Sequence, residues 1–167
     1  MKRNNSIHFS SANDSWSTPI ELYRALDEEF KFNFDPCPLD LDPNKNGTQL
    51  DFLIDENLSN EKIDGLDAQW GTSTFCNPPY SQLYDWLKKG FNEWNGGDKT
   101  IVFLIPSRTD TRAWHKYAMK ADEIRFCRGR LKFGNSENSA PFPSAIIIFR
   151  SKTMDSYSDS KNNEKKI

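Results

Sequence analysis

Four consecutive residues, Asn77-Pro78-Pro79-Tyr80, combine groups with a definite chemical use. Two adjacent prolines fix φ at both positions and remove two backbone donors. The turn they make is stiff and presents carbonyl acceptors, with an amide on one side and an aromatic ring on the other. Such a corner suits a planar substrate that carries an NH2 group. Asn77 Oδ1 and the Pro78 carbonyl can each accept one amino hydrogen, and the Tyr80 ring can stack on the plane. An amine conjugated to a ring is a poor nucleophile. Two fixed acceptors draw its nitrogen out of conjugation and aim the lone pair at an electrophile, so no general base is needed before attack. The bland counterpart is a proline turn that ends a strand, with Tyr80 as ordinary packing.

The elements around this corner read as alternating helices and strands. Ser17-Thr18-Pro19-Ile20-Glu21 has the form of a helix start, with Ser or Thr as the cap, Pro in the first turn and an acid beyond. Leu22, Leu26 and Phe30 then recur every four residues on one face. Phe32–Asp35 reads as a short strand stopped by Pro36 and Pro38. From Leu39 to Trp70 the pattern is poor, and only Leu50–Ile54 looks strand-like. Ser73–Cys76 is a buried-type strand that leads into the proline corner. Ser81 is placed to cap a helix whose apolar positions are Leu83, Tyr84, Leu87, Phe91 and Trp94, ended by Gly96-Gly97. Thr100–Ile105 is continuously apolar, as in a sheet covered on both faces. Residues 110–120 read as helix, Glu123–Cys127 as strand, Arg130–Phe133 as an extension and Ala145–Phe149 as a last strand. This order predicts an α/β fold with an open, mostly parallel sheet and helices on both faces. Ligands of such sheets bind outside the carboxyl ends of the strands, where Asp35, Asn77 and Pro106 fall.

Charge is unevenly spread. Residues 17–67 carry a local balance of −9, whereas 101–134 carry +5 through Arg108, Arg112, Lys116, Lys120, Arg125, Arg128, Arg130 and Lys132. Phosphates are drawn to the second segment and repelled from the first. Chance variation along a solvated surface is the plain alternative. Over the whole chain the balance is only −2, so no global positive field points to a nucleic-acid partner.

The 167 residues suit one domain, and 12 Phe, 5 Trp and 5 Tyr can fill its core. No apolar run reaches the ~18 residues that a membrane span needs. The basic start Met1-Lys2-Arg3 has no apolar stretch behind it, so the expectation is no signal peptide. Cys37, Cys76 and Cys127 are scattered, which argues for a reducing compartment and against a disulfide scaffold or zinc module. Residues 1–14 are expected to be a flexible start, 15–150 the folded domain, and 151–167 a disordered charged tail. His115 is expected to be a partly buried packing residue rather than a catalyst.

Taken in order, seven stretches resemble one family. They are Trp16-Ser17-Thr18-Pro19; Phe34-Asp35-Pro36-Cys37-Pro38; Asp64-Gly65-Leu66 with Trp70; Asn77 to Ser81; Leu104 to Asp110; Gly129-Arg130-Leu131-Lys132-Phe133; and Pro141-Phe142-Pro143-Ser144-Ala145. Across roughly 15–150 the chain resembles the phage-type, Dam-like DNA N-6-adenine methyltransferases, which use S-adenosylmethionine. The resemblance implies a shortened Rossmann-like class I methyltransferase fold and a cytoplasmic enzyme of a bacterium or phage-infected cell. It implies methylation of the exocyclic amine of an adenine flipped from double-stranded DNA, with no metal and no membrane.

The resemblance also implies roles for individual residues. Asn77, Pro78, Pro79 and Tyr80 match the catalytic tetrapeptide. Thr18 and Pro19 match the motif that approaches the methionine end of the cofactor, Asp35 and Pro36 the acid turn near its ammonium, and Asp64 the position near its adenine, for which Asp67 and Asp51 compete. Arg108, Arg112, Arg128, Arg130 and Lys132 are expected to hold DNA phosphates, and Phe133 to flank the base opposite Tyr80. Pro-Cys-Pro-Leu follows Asp35 where many class I enzymes have a glycine-rich turn, which leaves the cofactor cradle open. The same tetrapeptide serves methylation of RNA or of a protein glutamine amide, and a catalytically silent binding domain is the third alternative.

Overall fold

The computed structural model describes residues 16–37, 64–134 and 138–153. The start at 1–14, the strand read at Leu50–Ile54, the competing Asp51 and most of the 151–167 tail lie outside them. Four strands form the sheet: β1 Ser73–Cys76, β2 Thr100–Pro106, β3 Glu123–Phe126 and β4 Ser144–Phe149. Three α-helices accompany it: α1 Ile20–Phe30, α2 Leu83–Trp94 and α3 Arg112–Lys116.

The strand order is β1-β2-β4-β3. β1 pairs parallel with β2, Cys76 opposite Phe103, while β4 runs antiparallel to both β2 and β3. Phe34 adds a single parallel bridge to Thr74 on the outer side of β1, where a longer strand was expected. The sheet is therefore mixed rather than mostly parallel. A parallel return needs a crossover of a dozen or more residues, usually helical. The connection 127–143 has no helix among its described residues, and β4 comes back reversed.

Side chains alternate across the sheet and are buried on both faces. Ile101, Phe103, Ile105, Ala145, Ile147 and Phe149 face one way and meet α2 and α3 through Trp86, Leu87, Trp94, Trp114 and Tyr117. Val102, Leu104, Ile146 and Ile148 face the other and meet α1 and the 131–142 segment through Tyr23, Leu26, Phe133 and Phe142. At the far side of the sheet, Arg125 bridges Glu29 of α1 (2.6 Å) and Glu123 (2.6 Å), and Arg150 joins Glu123 (2.6 Å).

Several local readings change. The residue at the cap of α1 is Pro19, with no side-chain cap, so neither Ser17 nor Thr18 closes the helix. Ser81 lies within a 3-10 turn, Tyr80–Gln82, that precedes α2. The helix expected over 110–120 is the short α3 followed by a 3-10 turn, Ala118–Lys120. Residues 130–133 form no strand. His115 is exposed, while its neighbour Trp114 is buried. Among the described residues no helix is long and apolar enough to cross a membrane, and no cluster of metal-ligating side chains is present.

Candidate active site

The topology assembles the site before any side chain is considered. Because β1, β2 and β3 run in one direction, their carboxyl ends lie on one edge of the sheet. Asn77 follows β1 there, Arg108 lies just beyond β2, and Arg128 follows β3 after Cys127. The parallel bridge of Phe34 brings Asp35 and Pro36 to the same edge. Reversed β4 contributes its start, Pro143 and Ser144, rather than its end.

Asn77 is the centre of the polar contacts. Its Nδ2 donates to the backbone carbonyl of Trp16 and to Thr18 Oγ1 (3.0 Å). A carbonyl oxygen can only accept, so the amide face toward Trp16 must be the NH2. Oδ1 therefore points the other way, where it accepts from the Tyr80 hydroxyl at 3.0 Å. Thr18 thus serves Asn77 rather than α1. The Asn77 backbone carbonyl accepts from Cys37 Sγ (3.3 Å), whose sulfur lies 3.5 Å from Cys76 Sγ. Burial holds the Cys76 thiol and the Tyr80 phenol well above their ordinary pKa, so both stay protonated.

Asp35 is a half-buried acid with no cation beside it among the described residues. Its Oδ1 accepts from the Cys37 N–H (2.9 Å), and no ion pair reaches it among the described residues. Burial of the carboxyl pushes its pKa up to about 7, against the opposing pull of the Cys37 N–H. Tyr23 of α1 lies within electrostatic reach of it, with a buried hydroxyl that has no hydrogen-bond partner among the described residues. Asp64 is exposed, and its Oδ1 accepts from Leu66 N (2.9 Å). The glycine after it presses on the Asp35 turn. A Cβ at Gly65 would lie 1.9 Å from the Pro36 carbonyl oxygen, so only glycine allows this approach. The close packing joins the Asp64 and Pro36 turns into one wall.

Tyr80 sits among three other rings. Trp16 lies nearly parallel to it (centroids 6.4 Å, 15°), and Phe142 stands edge-on to both, 5.4 Å from Tyr80 and 5.3 Å from Trp16. Phe133, expected to flank a base opposite Tyr80, is a buried ring whose plane stands at 73° to that of Tyr80. The ring facing Tyr80 is Trp16. Neither Trp16 nor Phe142 stood out as a site residue, since both lie in irregular segments where periodicity carries no signal. The only hint was their place in the matched stretches.

The basic residues divide by partner. Arg125 is neutralised by Glu29 and Glu123, whereas Arg108, Arg112, Arg128, Arg130 and Lys132 are exposed and reach no carboxylate among the described residues. Arg112 lies over the Tyr84 ring (4.9 Å) and donates to its hydroxyl (3.3 Å), beside Lys116 (3.0 Å). The Lys116 hydrogen bond, with help from Tyr117, holds the Tyr84 phenol down at about 8. In the sequence Tyr84 is marked only by its apolar helix spacing, which carries no sign of this basic cluster.

The family model of DNA N-6-adenine-methyltransferase (Dam) matches residues 5–166. The chain is 24% identical over 151 residues to the DNA N-6-adenine-methyltransferase of Haemophilus phage HP1 (strain HP1c1), covering 85% of this chain and 82% of that protein. No solved structure matches.

Proposed function

The chain belongs to the DNA N-6-adenine-methyltransferase (Dam) family, and from that premise we propose that it uses S-adenosylmethionine to methylate N6 of an adenine extruded from double-stranded DNA. The observation that carries the reading is the orientation of the Asn77 amide. With Nδ2 held by Trp16 and Thr18, Oδ1 is the atom left for a donor from the substrate. One of its lone pairs receives the Tyr80 hydroxyl and the other is available for an amino hydrogen. The Pro78 carbonyl is the proposed second acceptor, and Tyr80 the stacking plate.

The fit of the cofactor rests on Asp35 and Tyr23. A half-buried carboxyl with no cation and a buried hydroxyl with no hydrogen-bond partner, both among the described residues, together suit a ligand that carries an ammonium and a carboxylate. Asp35 and Pro36 would hold the ammonium side, the start of α1 at Thr18 and Pro19 the carboxylate side, and the Asp64 turn the adenine end. When bound, S-adenosylmethionine supplies a methyl group on a positively charged sulfur. The chain's own part is to hold the amine in line, to exclude water and to pull its hydrogens toward fixed oxygens. Tyr80 and Cys76 stay protonated, so neither acts as a base, and the product amine sheds its extra proton after transfer.

Extruding a base from a duplex costs a few kcal/mol, and the exposed Arg108, Arg112, Arg128, Arg130 and Lys132 are the proposed phosphate contacts. The fold that this reading implies is a shortened class I methyltransferase sheet. Incubation with tritiated S-adenosylmethionine and, separately, DNA, RNA and protein extract tests the whole reading. Label in N6-methyladenine from DNA is expected, and label only in RNA or in protein glutamine would overturn it.

A further inference from the structure

Asn77 is 5% exposed, Tyr80 9%, Phe133 4% and Phe142 8%. A purine cannot reach Asn77 Oδ1 while these residues are covered, and among the described residues the segment 16–18 packs directly on Asn77, Tyr80, Phe133 and Phe142. It is fastened from two sides: the Trp16 carbonyl and Thr18 Oγ1 accept from Asn77 Nδ2, and the Ser17 carbonyl accepts from Gly134 N at 2.8 Å. The Trp16 indole rests parallel to Tyr80 with Phe133 and Phe142 edge-on to it, both at 5.3 Å. Indole is a flat six-five fused bicycle, the same ring frame as a purine. It lies against the ring on which the base is proposed to stack.

From this geometry we infer that Trp16 is the placeholder of the target base. Its indole occupies the aromatic box in the DNA-free protein, and the flipped adenine displaces it. The inference rests on the reading that Asn77 and Tyr80 receive an adenine. Its physical basis is competition within one chain. A site that is filled by its own side chain most of the time binds its ligand more weakly in proportion to the fraction of time it is open. The device also keeps the box dry and its rings in place when no base is present. Displacement must release at least the indole. The Asn77 contact is to the Trp16 backbone and can persist, so the amide stays oriented while the ring leaves.

The test uses the full chain as wild type, Trp16→Phe and Trp16→Ala. With DNA free of N6-methyladenine and tritiated S-adenosylmethionine, Trp16→Ala is expected to lower KM for DNA by about threefold or more and to raise kcat/KM, with Trp16→Phe between the two. A merely structural role would lower kcat and leave KM unimproved. A second measurement needs no turnover and no folded alanine variant. The emission difference between wild type and Trp16→Phe isolates Trp16, and acrylamide quenching of that difference is expected to rise when an adenine-containing oligonucleotide is added and not with an oligothymidylate. A KM unchanged or raised in Trp16→Ala would overturn the inference, as would a Trp16 signal still shielded at saturating adenine oligonucleotide. If the wild type labels no DNA at all, the methylation reading has failed, and the quenching experiment still decides the displacement by itself.

Discussion

The carbonyl of Trp16 accepts a hydrogen bond from the Asn77 side chain across 61 residues of chain, and this contact decides which way the Asn77 carboxamide faces. Had the NH2 pointed into the site, the corner would repel an amino group instead of receiving one. Thr18 adds a second acceptor on the same side.

Removing the carboxamide removes the acceptor. Asn77→Ala should lower the methylation rate of the folded protein by about 10²-fold or more, and should also lower the melting temperature, because Trp16, Thr18 and Tyr80 each lose a hydrogen-bond partner. Thr18→Val deletes only one of the two acceptors that orient the amide, so roughly a three- to tenfold loss is expected. Initial rates with matched thermal melts check both.

Asp35 predicts a pH effect with a definite sign. Its folded pKa, about 7, lies above its unfolded value near 3.9. Its contribution to the stability of the ligand-free protein is therefore full below pH ~4 and lost as pH rises through 7. Asp35→Asn should raise the melting temperature at pH 8 by roughly 5 °C, yet weaken S-adenosylmethionine binding by roughly tenfold or more. Wild-type affinity for that cation-bearing ligand should rise between pH 6 and 8 in calorimetric titrations, and a flat profile would contradict the assignment.

Arg112 and Arg125 separate DNA contact from structure. Arg112 reaches no carboxylate among the described residues, so Arg112→Ala should weaken DNA binding and reduce the salt slope by about 1. Arg125 is already paired with Glu29 and Glu123. Arg125→Ala should leave that slope unchanged and lower stability instead. Fluorescence anisotropy from 50 to 200 mM salt distinguishes the two.

Tyr84 should titrate near pH 8, visible as phenolate absorbance at alkaline pH before Tyr23, Tyr80 and Tyr117, which are all held above their ordinary range. Lys116→Ala removes the donor most responsible, and the midpoint should move up toward ~10.

Gly65→Ala puts a Cβ into the Pro36 carbonyl. The two turns must separate, at a cost of about 1–3 kcal/mol. Both a lower denaturation midpoint and weaker S-adenosylmethionine binding are expected. Loss of stability with affinity intact would show that the Asp64 turn takes no part in the cofactor site.

Much of this molecule is written locally. The continuous apolar run at Thr100–Ile105 and the four-residue spacing of Leu22, Leu26 and Phe30 are short-range patterns, and β2 and α1 stand where those patterns lie. The proline corner is also local, since two fixed φ angles need no tertiary support. Strand direction is not local. An apolar run such as Ala145–Phe149 reads the same whichever way the strand points, and the direction of β4 is set by its pairing with β2 and β3.

By itself the sequence determined the chemistry on offer: an amide, two prolines and an aromatic ring in succession, an acid after the Phe34 segment, and an excess of bases after β2. Local sterics and residue type suffice for that. Only the tertiary structure decided that Thr18 orients Asn77 rather than capping α1, that Trp16 and not Phe133 lies parallel to Tyr80, and that Arg125 is held by Glu29 while Arg112 lies over Tyr84. Each of those is a contact between segments far apart in the chain, set by packing across the sheet, and no short-range pattern encodes it.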